Sequence, residues 1–511
     1  MFLDLHVGSL VEPLTGRRWD REHIQDAFAR RRAYYGAHHL ATGDRVFLHY
    51  GNSCEFFVDL LAIWTLGGCA VPIDPRLTSF EIETLARAAA PAFSVWNEAP
   101  EAVLRDTLSA LGITLLQAVP VGAPSAPARL EPQRSGTLKL DTPALILFTS
   151  GTTGQPKGVV HTHRSLRARW MGLRQALDIK SFERTLCLLP THFGHGLICN
   201  CLFPWLSGRD LYITPPFRPE VLLQLGSLLD EHGITFMSSV PSIWRLALKT
   251  AKPPRLGQLK QVFCGSAPLS AYLWKGIQEW TGAGRIVNAY GITETGSWVA
   301  GTTVDDVVPE DGLIGVPWGA VIQILKSSST EVPPAEATAC AFGESGYVWL
   351  NTPALMQGYL DRDDLTEKVV SQGWFFTGDI GLIDDRGLLY LRGREREEIN
   401  KGGMKIYPTD IDTVAEQYEH TLDVCTFAYE EPLYGESIGI AVVLRDAGDE
   451  HFRGLFRWLK RHLAQFQMPQ RWYVTDQIPR SSRGKVNRSA IASMCANLTA
   501  VDHAALMRGE P

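Results

Sequence analysis

The 511-residue chain lacks a surplus of either charge: 49 Lys and Arg stand against 55 Asp and Glu, a formal net charge of −6. Without a basic stripe it has no means of neutralising many phosphates at once, which disfavours nucleic acid or anionic lipid as its main partner. Paired cysteine spacing is also missing. The nine cysteines, an odd number scattered from Cys54 to Cys495, include no CxxC pair, so they indicate neither a disulfide framework nor a zinc ribbon, and reduced thiols in a cytosol are expected. The opening stretch, MFLDLHVGSLVEP, carries Asp4 and has neither the basic start nor the apolar run of a signal peptide, so no export is expected and a cytoplasmic location is. Long apolar runs are absent as well. The longest, Phe56 to Ile73, is interrupted by Asp59, Gly67, Gly68 and Pro72 and reads as a core helix running into a strand, not as a membrane span.

What is present is ample core material: 45% apolar and 10% aromatic residues, enough for two or more domains. From Arg45 to Ile286, short apolar runs (RVFLHY, ALILFTS, TLCLLP, ITFMSSV, QVFCG) alternate with amphipathic stretches such as PEVLLQLGSLLDEHG. That βαβα rhythm predicts an α/β fold with helix-covered, mostly parallel sheets. Ala118 to Gly136, rich in Pro, Ala, Gly and Ser, reads as a surface connection between two parts of one sheet system. After Gly312 the pattern turns to short strands, with a hairpin signal at Asp384-Asp385-Arg386-Gly387, predicting a β-rich subdomain. Beyond Arg394 the charged run REREEINKGG precedes a compact βαβ-like stretch and a polar tail after Ser489. The expected organisation is a large N-terminal domain over 1–394 and a small α+β domain over 395–511, with a hinge near Arg396.

The most informative segment is FTSGTTGQPKGVVHTH, Phe148 to His163. An apolar strand runs into a loop whose glycines, Gly151 and Gly154 among them, let backbone N–H groups approach phosphate oxygens. Hydroxyls at Thr149, Ser150, Thr152 and Thr153 add donors, and Lys157 brings positive charge to the same oxygens. It is not a Walker A loop, because Pro156 stands where a glycine is required and Gly158 where Ser or Thr should hold magnesium.

This loop resembles the signature of the adenylate-forming superfamily, which contains acyl-CoA synthetases, peptide-synthetase adenylation domains and beetle luciferases. Further segments resemble family motifs in the same order: LGGCAVPIDP (Leu66 to Pro75), CGSAP (Cys264 to Pro268), NAYGITE (Asn288 to Glu294), TGD (Thr377 to Asp379), GREREEINKGGMKIYP (Gly393 to Pro408) and PRSSRGKVNR (Pro479 to Arg488). The ordered set spans most of the chain and is far more specific than any one member.

The resemblance implies a chemistry. A carboxylate has only oxide to lose, and attack on the α-phosphorus of ATP turns it into a mixed anhydride with a good leaving group. Nucleophile and leaving group are both anionic, so catalysis rests on cations and donors aimed at the in-line phosphoryl group. By resemblance, Thr149, Ser150, Thr152, Thr153 and Lys157 hold the β- and γ-phosphates, Thr293 contacts the α-phosphate, and Glu294 binds magnesium, which requires oxygen ligands. Tyr290 stacks on adenine, Asn288 meets its exocyclic amine, and Ala289 and Gly291 complete that stretch. The Gly265-Ser266-Ala267-Pro268 backbone follows the base edge. Asp379 accepts the ribose hydroxyls, with Arg394 assisting. Lys485 reaches into the cleft to stabilise the adenylation transition state. Rotation of the small domain about Arg396 then withdraws that lysine and lets Arg394, Gly402 and Gly403 line a thiol channel.

Two departures bear on the acid. In LPTHFGHG, Phe193 falls where relatives carry an aromatic gate, with His192 and His195 beside it. Where amino-acid-activating relatives place an Asp, this chain reads Phe193-Gly194-His195-Gly196, so a substrate ammonium has no partner and an aryl or aliphatic acid is favoured. Val240, Trp244, Gly265, Trp298 and Val299 are the expected pocket walls. His192, His195, Cys199 and Cys201 are read as gate and core helix, not as a zinc site. The thiol acceptor is CoA or the phosphopantetheine arm of an acyl carrier protein. Arg471, Arg480 and Arg483 suit the phosphates of the one or the acidic surface of the other. A luciferase-like oxygenase and a catalytically silent nucleotide-binding protein are the readings of other classes, and pyrophosphate exchange separates them from a ligase.

Overall fold

In the computed structural model, residues 6–118, 139–149, 156–216, 218–332, 334–401, 404–431, 435–445, 449–481 and 485–502 are described. Almost all of the Pro-rich connection therefore lies outside the described residues.

Two sheets share one core. The first orders its strands as Gly358–Tyr359, Lys157–Thr162, Pro143–Thr149, Cys69–Pro72, Arg45–Leu48, Phe93–Trp96 and Thr114–Gln117. In the second, Leu10–Glu12, Asp210–Ile213, Arg184–Cys187, Phe236–Ser239, Gln261–Gly265 and Arg285–Ile292 run parallel. Helix Cys54–Thr65, capped by the Ser53 side chain, is buried on every face. That suits its nearly continuous apolar sequence, since a helix hydrophobic all round needs cover all round. It packs in a cluster that joins Val46, Leu48 and Leu145 of the first sheet to Leu211, Phe236 and Phe263 of the second. Its one internal carboxylate, Asp59, is paired with Arg31 at 3.2 Å and accepts a hydrogen bond from Tyr50.

The β-rich stretch expected after Gly312 does not stand apart. Strand Arg285–Ile292 reverses through Thr293–Thr295 and a left-handed Gly296 (φ 72°) into Ser297–Gly301, which pairs antiparallel with it. Leu313–Pro317, Leu389–Arg394, Trp374–Ile383, Gly346–Asn351 and Val321–Leu325 then extend the same sheet. A tight reversal leaves the outgoing strand beside its predecessor, so the parallel sheet continues as an antiparallel one. The hairpin at Asp384 forms: its Oδ1 accepts from Arg386 N and Leu388 N, and Gly387 takes φ 78°.

After Arg394 the chain builds a third sheet, with Gly435–Leu444 paired to Thr421–Glu431 and Arg471–Val474. It has its own core of Ile399, Ile411, Ile440, Leu455 and Trp472. The tail is less polar in effect than its composition suggested. Asn487 caps helix Arg488–Cys495, and Ile491 and Cys495, one turn apart, both bury. No helix among the described residues is long and apolar enough to cross a membrane. All nine cysteines are free, and every one but Cys340 is buried.

Candidate active site

Three groups of candidate residues lie at strand ends and turns of this fold. Gly265 ends its strand so close to Ala289 that a Cβ would lie 2.2 Å from the Ala289 carbonyl oxygen, which is why glycine stands there. Ser266 follows in the left-handed region (φ 67°), an uncommon setting for a residue with a side chain and one found at functional sites. On the neighbouring strand Asn288 donates its amide nitrogen to the Leu313 carbonyl at 2.7 Å, leaving the amide oxygen as its acceptor. Tyr290 is buried and donates its hydroxyl to Asp379 Oδ2 at 2.5 Å. Asp379 Oδ1 is ion-paired with Arg394 Nε at 2.9 Å, across a hairpin whose register sets the two residues opposite each other. Asp379 raises Arg394 well above its ordinary range, outweighing burial; burial first, then Asp379, raises the Tyr290 phenol. Each carboxylate oxygen keeps a second lone pair for a further donor.

Lys157 opens the strand Lys157–Thr162, and its carbonyl lies 3.5 Å from Thr149 Oγ1 across the hairpin. Ser150, Gly151, Thr152, Thr153 and Gly154 fall outside the described residues, as do Gly402 and Gly403. The Lys157 ammonium lies 5.3 Å from the centroid of the Tyr359 ring, and the Tyr359 hydroxyl donates to Glu294 Oε1 at 2.8 Å. Tyr359 thus ties the phosphate-loop lysine to the acidic residue of NAYGITE. Sequence reading missed it, because QGYL carries no local signal. The residue arrives by pairing with Val159 on the strand that begins at Lys157.

The third cluster surrounds His195, first residue of the π-helical segment His195–Leu202. Such segments are rare and frequent at functional sites. His195 Nε2 lies 2.6 Å from Ser238 Oγ and Nδ1 lies 2.8 Å from Ser266 Oγ. Its ring meets Phe193 at 5.8 Å and the edge of Trp298 at 5.4 Å. Burial, reinforced by the charge of Lys485, pushes His195 down to about 3. Lys485, from the third sheet's domain, is thus near enough for its charge to act on His195. Its loop is closed by Lys485 N donating to Ser481 Oγ and Ser481 N donating to the Lys485 carbonyl. Arg488 just beyond is ion-paired with Asp412 at 2.8 Å and Glu397 at 3.2 Å.

The remaining expected wall residues divide. Trp298 packs with His195, Phe263 and Trp318. Trp244 lies with Val240 in a different cluster, donating to Ser239 Oγ, and Val299 faces the opposite side of its strand, beside Tyr290. His192 is 3.3 Å from Asp74, which also holds Arg76. Burial raises Asp74, but Arg76 and His192 outweigh it and hold the carboxyl below its ordinary value. Arg396 sits in the short helical turn Glu395–Glu397 between the large sheet and the third one.

Comparison with known proteins shows the family. The AMP-binding enzyme family matches residues 32–360. A probable CoA ligase, CCL9, of Humulus lupulus is 28% identical over 469 residues, covering 88% of this chain and 86% of that protein. A feruloyl-CoA synthase of an Amycolatopsis species is 29% identical over 466 residues, covering 88% of each. Among solved structures, ATP-bound MatB from Rhodopseudomonas palustris superposes with a TM-score of 0.82 at 23% identity over 97% of both chains, a likeness of fold.

Proposed function

The chain belongs to the AMP-binding enzyme family, and on that premise we propose that it is an AMP-forming acyl-CoA synthetase. The reading is supported by three neighbouring groups: Lys157 with Tyr359 and Glu294, Tyr290 with Asp379 and Arg394, whose guanidinium feels the charge of Glu294, and His195 within the field of Lys485.

ATP lies with adenine on Tyr290, its amine at the Asn288 amide oxygen, and its ribose on Asp379. Lys157 and the hydroxyl loop before it take the β- and γ-phosphates. Thr293 and Glu294 present an all-oxygen donor pair, and Glu294 is already oriented by Tyr359, so they fit magnesium. Bound there, the metal supplies charge neutralisation between phosphate oxygens. In the first half-reaction a substrate carboxylate oxygen forms a bond to the α-phosphorus, the bond from that phosphorus to the oxygen bridging the α- and β-phosphates breaks, and pyrophosphate leaves with that oxygen. Lys485 meets the charge that accumulates on the carboxylate and phosphoryl oxygens as this happens. His195, held neutral, gives no competing charge at ordinary pH. In the second, the CoA thiol sulfur, its proton released to water, bonds to the acyl carbon and AMP leaves. The small domain turns about Arg396 between the two steps.

The acid is compact. Trp298 is 1% exposed, meets His195 edge-on, and donates its backbone N–H toward Cys199 Sγ at 3.4 Å, so the space between the π-helical segment and strand Ser297–Gly301 is occupied by indole. A short aliphatic or single-ring aryl acid fits such a wall; a long acyl chain does not. The test is ATP–pyrophosphate exchange over a panel of short, aryl, alicyclic and long-chain acids, followed by CoA addition to the best substrate. Acid-dependent exchange and thioester formation are expected, and exchange with no acid of the panel would refute the proposal.

A further inference from the structure

In the proposed function Thr293 and Glu294 of the turn Thr293-Glu294-Thr295 face the nucleotide, while Thr295 is buried with its hydroxyl 3.2 Å from the Ile292 carbonyl, and the turn's backbone is held by side chains and backbone from other elements. Its three consecutive carbonyls are each taken by a donor from a different element. The Thr293 oxygen lies 2.8 Å from Nε2 of His161, on the strand Lys157–Thr162. The Glu294 oxygen accepts from Met356 N at 2.7 Å. The Thr295 oxygen accepts from both Nε (3.2 Å) and Nη2 (2.9 Å) of Arg169, on helix His163–Ala176.

Two of these donors are costly to place. Arg169 is 1% exposed, and the partners of its guanidinium among the described residues are carbonyl and hydroxyl oxygens, not carboxylates. Its other contacts are the Trp318 carbonyl at 2.7 Å and Thr352 Oγ1 at 3.2 Å. Burial pulls it down to about 10. A buried cation satisfied by neutral oxygens alone is expensive, and an apolar side chain would pack at lower cost. What the guanidinium alone supplies is a rigid fork that reaches several acceptors at once. Backbone approach is arranged to let it do so: a Cβ on Gly172 would stand 3.1 Å from Gly319 Cα. His161 is also fully buried. Since a carbonyl only accepts, Nε2 must carry the proton, and the ring is neutral, pushed down to about 4 by burial.

We propose that His161 and Arg169 are positioning residues of adenylation: by clamping the Thr293 and Thr295 carbonyls they fix the turn between them, so that the Thr293 hydroxyl and Glu294 carboxylate face ATP and its magnesium without reorganising. The proposal rests on the reading that these two side chains face the nucleotide. It assigns a cost to the first half-reaction and little to the second, in which the metal and pyrophosphate have gone.

The experiment compares His161→Leu, which removes the donor, with His161→Gln, whose amide nitrogen lies where Nε2 was, and Arg169→Met with Arg169→Lys. Outer partners of metal ligands are worth about 10–100-fold in affinity or activity. His161→Leu and Arg169→Met should therefore raise the magnesium concentration for half-maximal pyrophosphate exchange by ~10-fold and lower its maximal rate by ~10–100-fold. Thioester formation from supplied acyl-adenylate should stay within about 3-fold of wild type, and His161→Gln should recover most of the loss. If Arg169→Met fails to fold, the His161 pair decides. Equal loss in both half-reactions tracking a lowered melting temperature, or indistinguishable Leu and Gln variants, would overturn the clamp. Absence of exchange in the wild type would instead overturn the proposed function beneath it.

Discussion

Arg245→Met should separate the two half-reactions. Arg245, on helix Pro241–Thr250, is ion-paired with Glu416, the last residue of helix Pro408–Glu416 in the small domain, and Ser270 Oγ lies 3.3 Å from the other Glu416 oxygen. The two side chains are 20% and 13% exposed. Truncating one partner of a fully buried pair costs about 3–5 kcal/mol, because the other charge remains desolvated. Residual exposure here reduces that to about 2–3 kcal/mol. On the proposed domain rotation the cost falls on the closed arrangement alone, since a rotated small domain would return Glu416 to water. At 1.4 kcal/mol per factor of ten, closure weakens by ~30–150-fold. Pyrophosphate exchange should fall by up to that factor, while thioester formation from supplied acyl-adenylate should change less than about 3-fold. The double variant Arg245→Met/Glu416→Leu leaves no orphaned charge and should recover most of the exchange rate, a positive coupling in a double-mutant cycle. Refutation would be equal losses in the single and double variants, or equal losses in both half-reactions.

Three further outcomes follow from the same geometry. Trp298→Ala should lower stability by about 3–5 kcal/mol through the cavity it leaves, and should shift preference toward bulkier acids, read as a change in the ratio of kcat/KM values; an unchanged ratio would remove Trp298 from the acyl wall. Lys485→Ala should suppress exchange by ~100-fold or more and spare thioester formation from the adenylate, whereas equal loss of both would deny it a role confined to the first step. The pH dependence is set by buried groups of opposite sign. His49, His161, His163 and His195 are pushed by burial to about 3, 4, 4 and 3. Their contribution is complete above the unfolded value of 6.5 and is lost on acidification, as the unfolded chain takes up protons that the fold refuses. Asp59 and Asp410 are raised to about 6, chiefly by burial, so between 3.8 and about 6 they oppose this, favouring the fold as pH falls. Four histidines against these two carboxylates leave a loss of about 2–3 kcal/mol from pH 6 to 5, reduced by Asp412 and Glu416, which burial raises as well. Urea midpoints at the two pH values check it, and a gain in stability would contradict it.

Much of this was visible in the chain before its fold. Glycine, hydroxyl and lysine in one loop, and the order of the motifs, pointed to the family and singled out Tyr290, Asp379 and Arg394, which the fold brings into contact, because the roles proposed for them need particular residue types in short segments. Contacts made by register were not legible. Tyr359 meets Glu294 only because its two-residue strand pairs beside Lys157, and Arg169 looks like any basic residue on an amphipathic helix until the helix is seen to press against Gly319. The same limit explains the wall residues. Trp298 and Val299 alternate across one strand, so they face different cores, and alternation can be assigned to a face only when the neighbouring sheet is known. The change of pattern after Gly312 likewise suggests a β-rich subdomain, because the pattern, and not the pairing that continues the parallel sheet through the reversal at Gly296, is what a sequence displays.

The central claim is that a carboxyl oxygen of the substrate becomes bonded to the α-phosphorus of ATP. Supplying the acid with heavy oxygen in its carboxyl group, letting the reaction run to thioester with CoA, and weighing the products tests this directly. One labelled oxygen is expected in AMP and none in pyrophosphate. Label in pyrophosphate, or AMP without label while thioester accumulates, would contradict it.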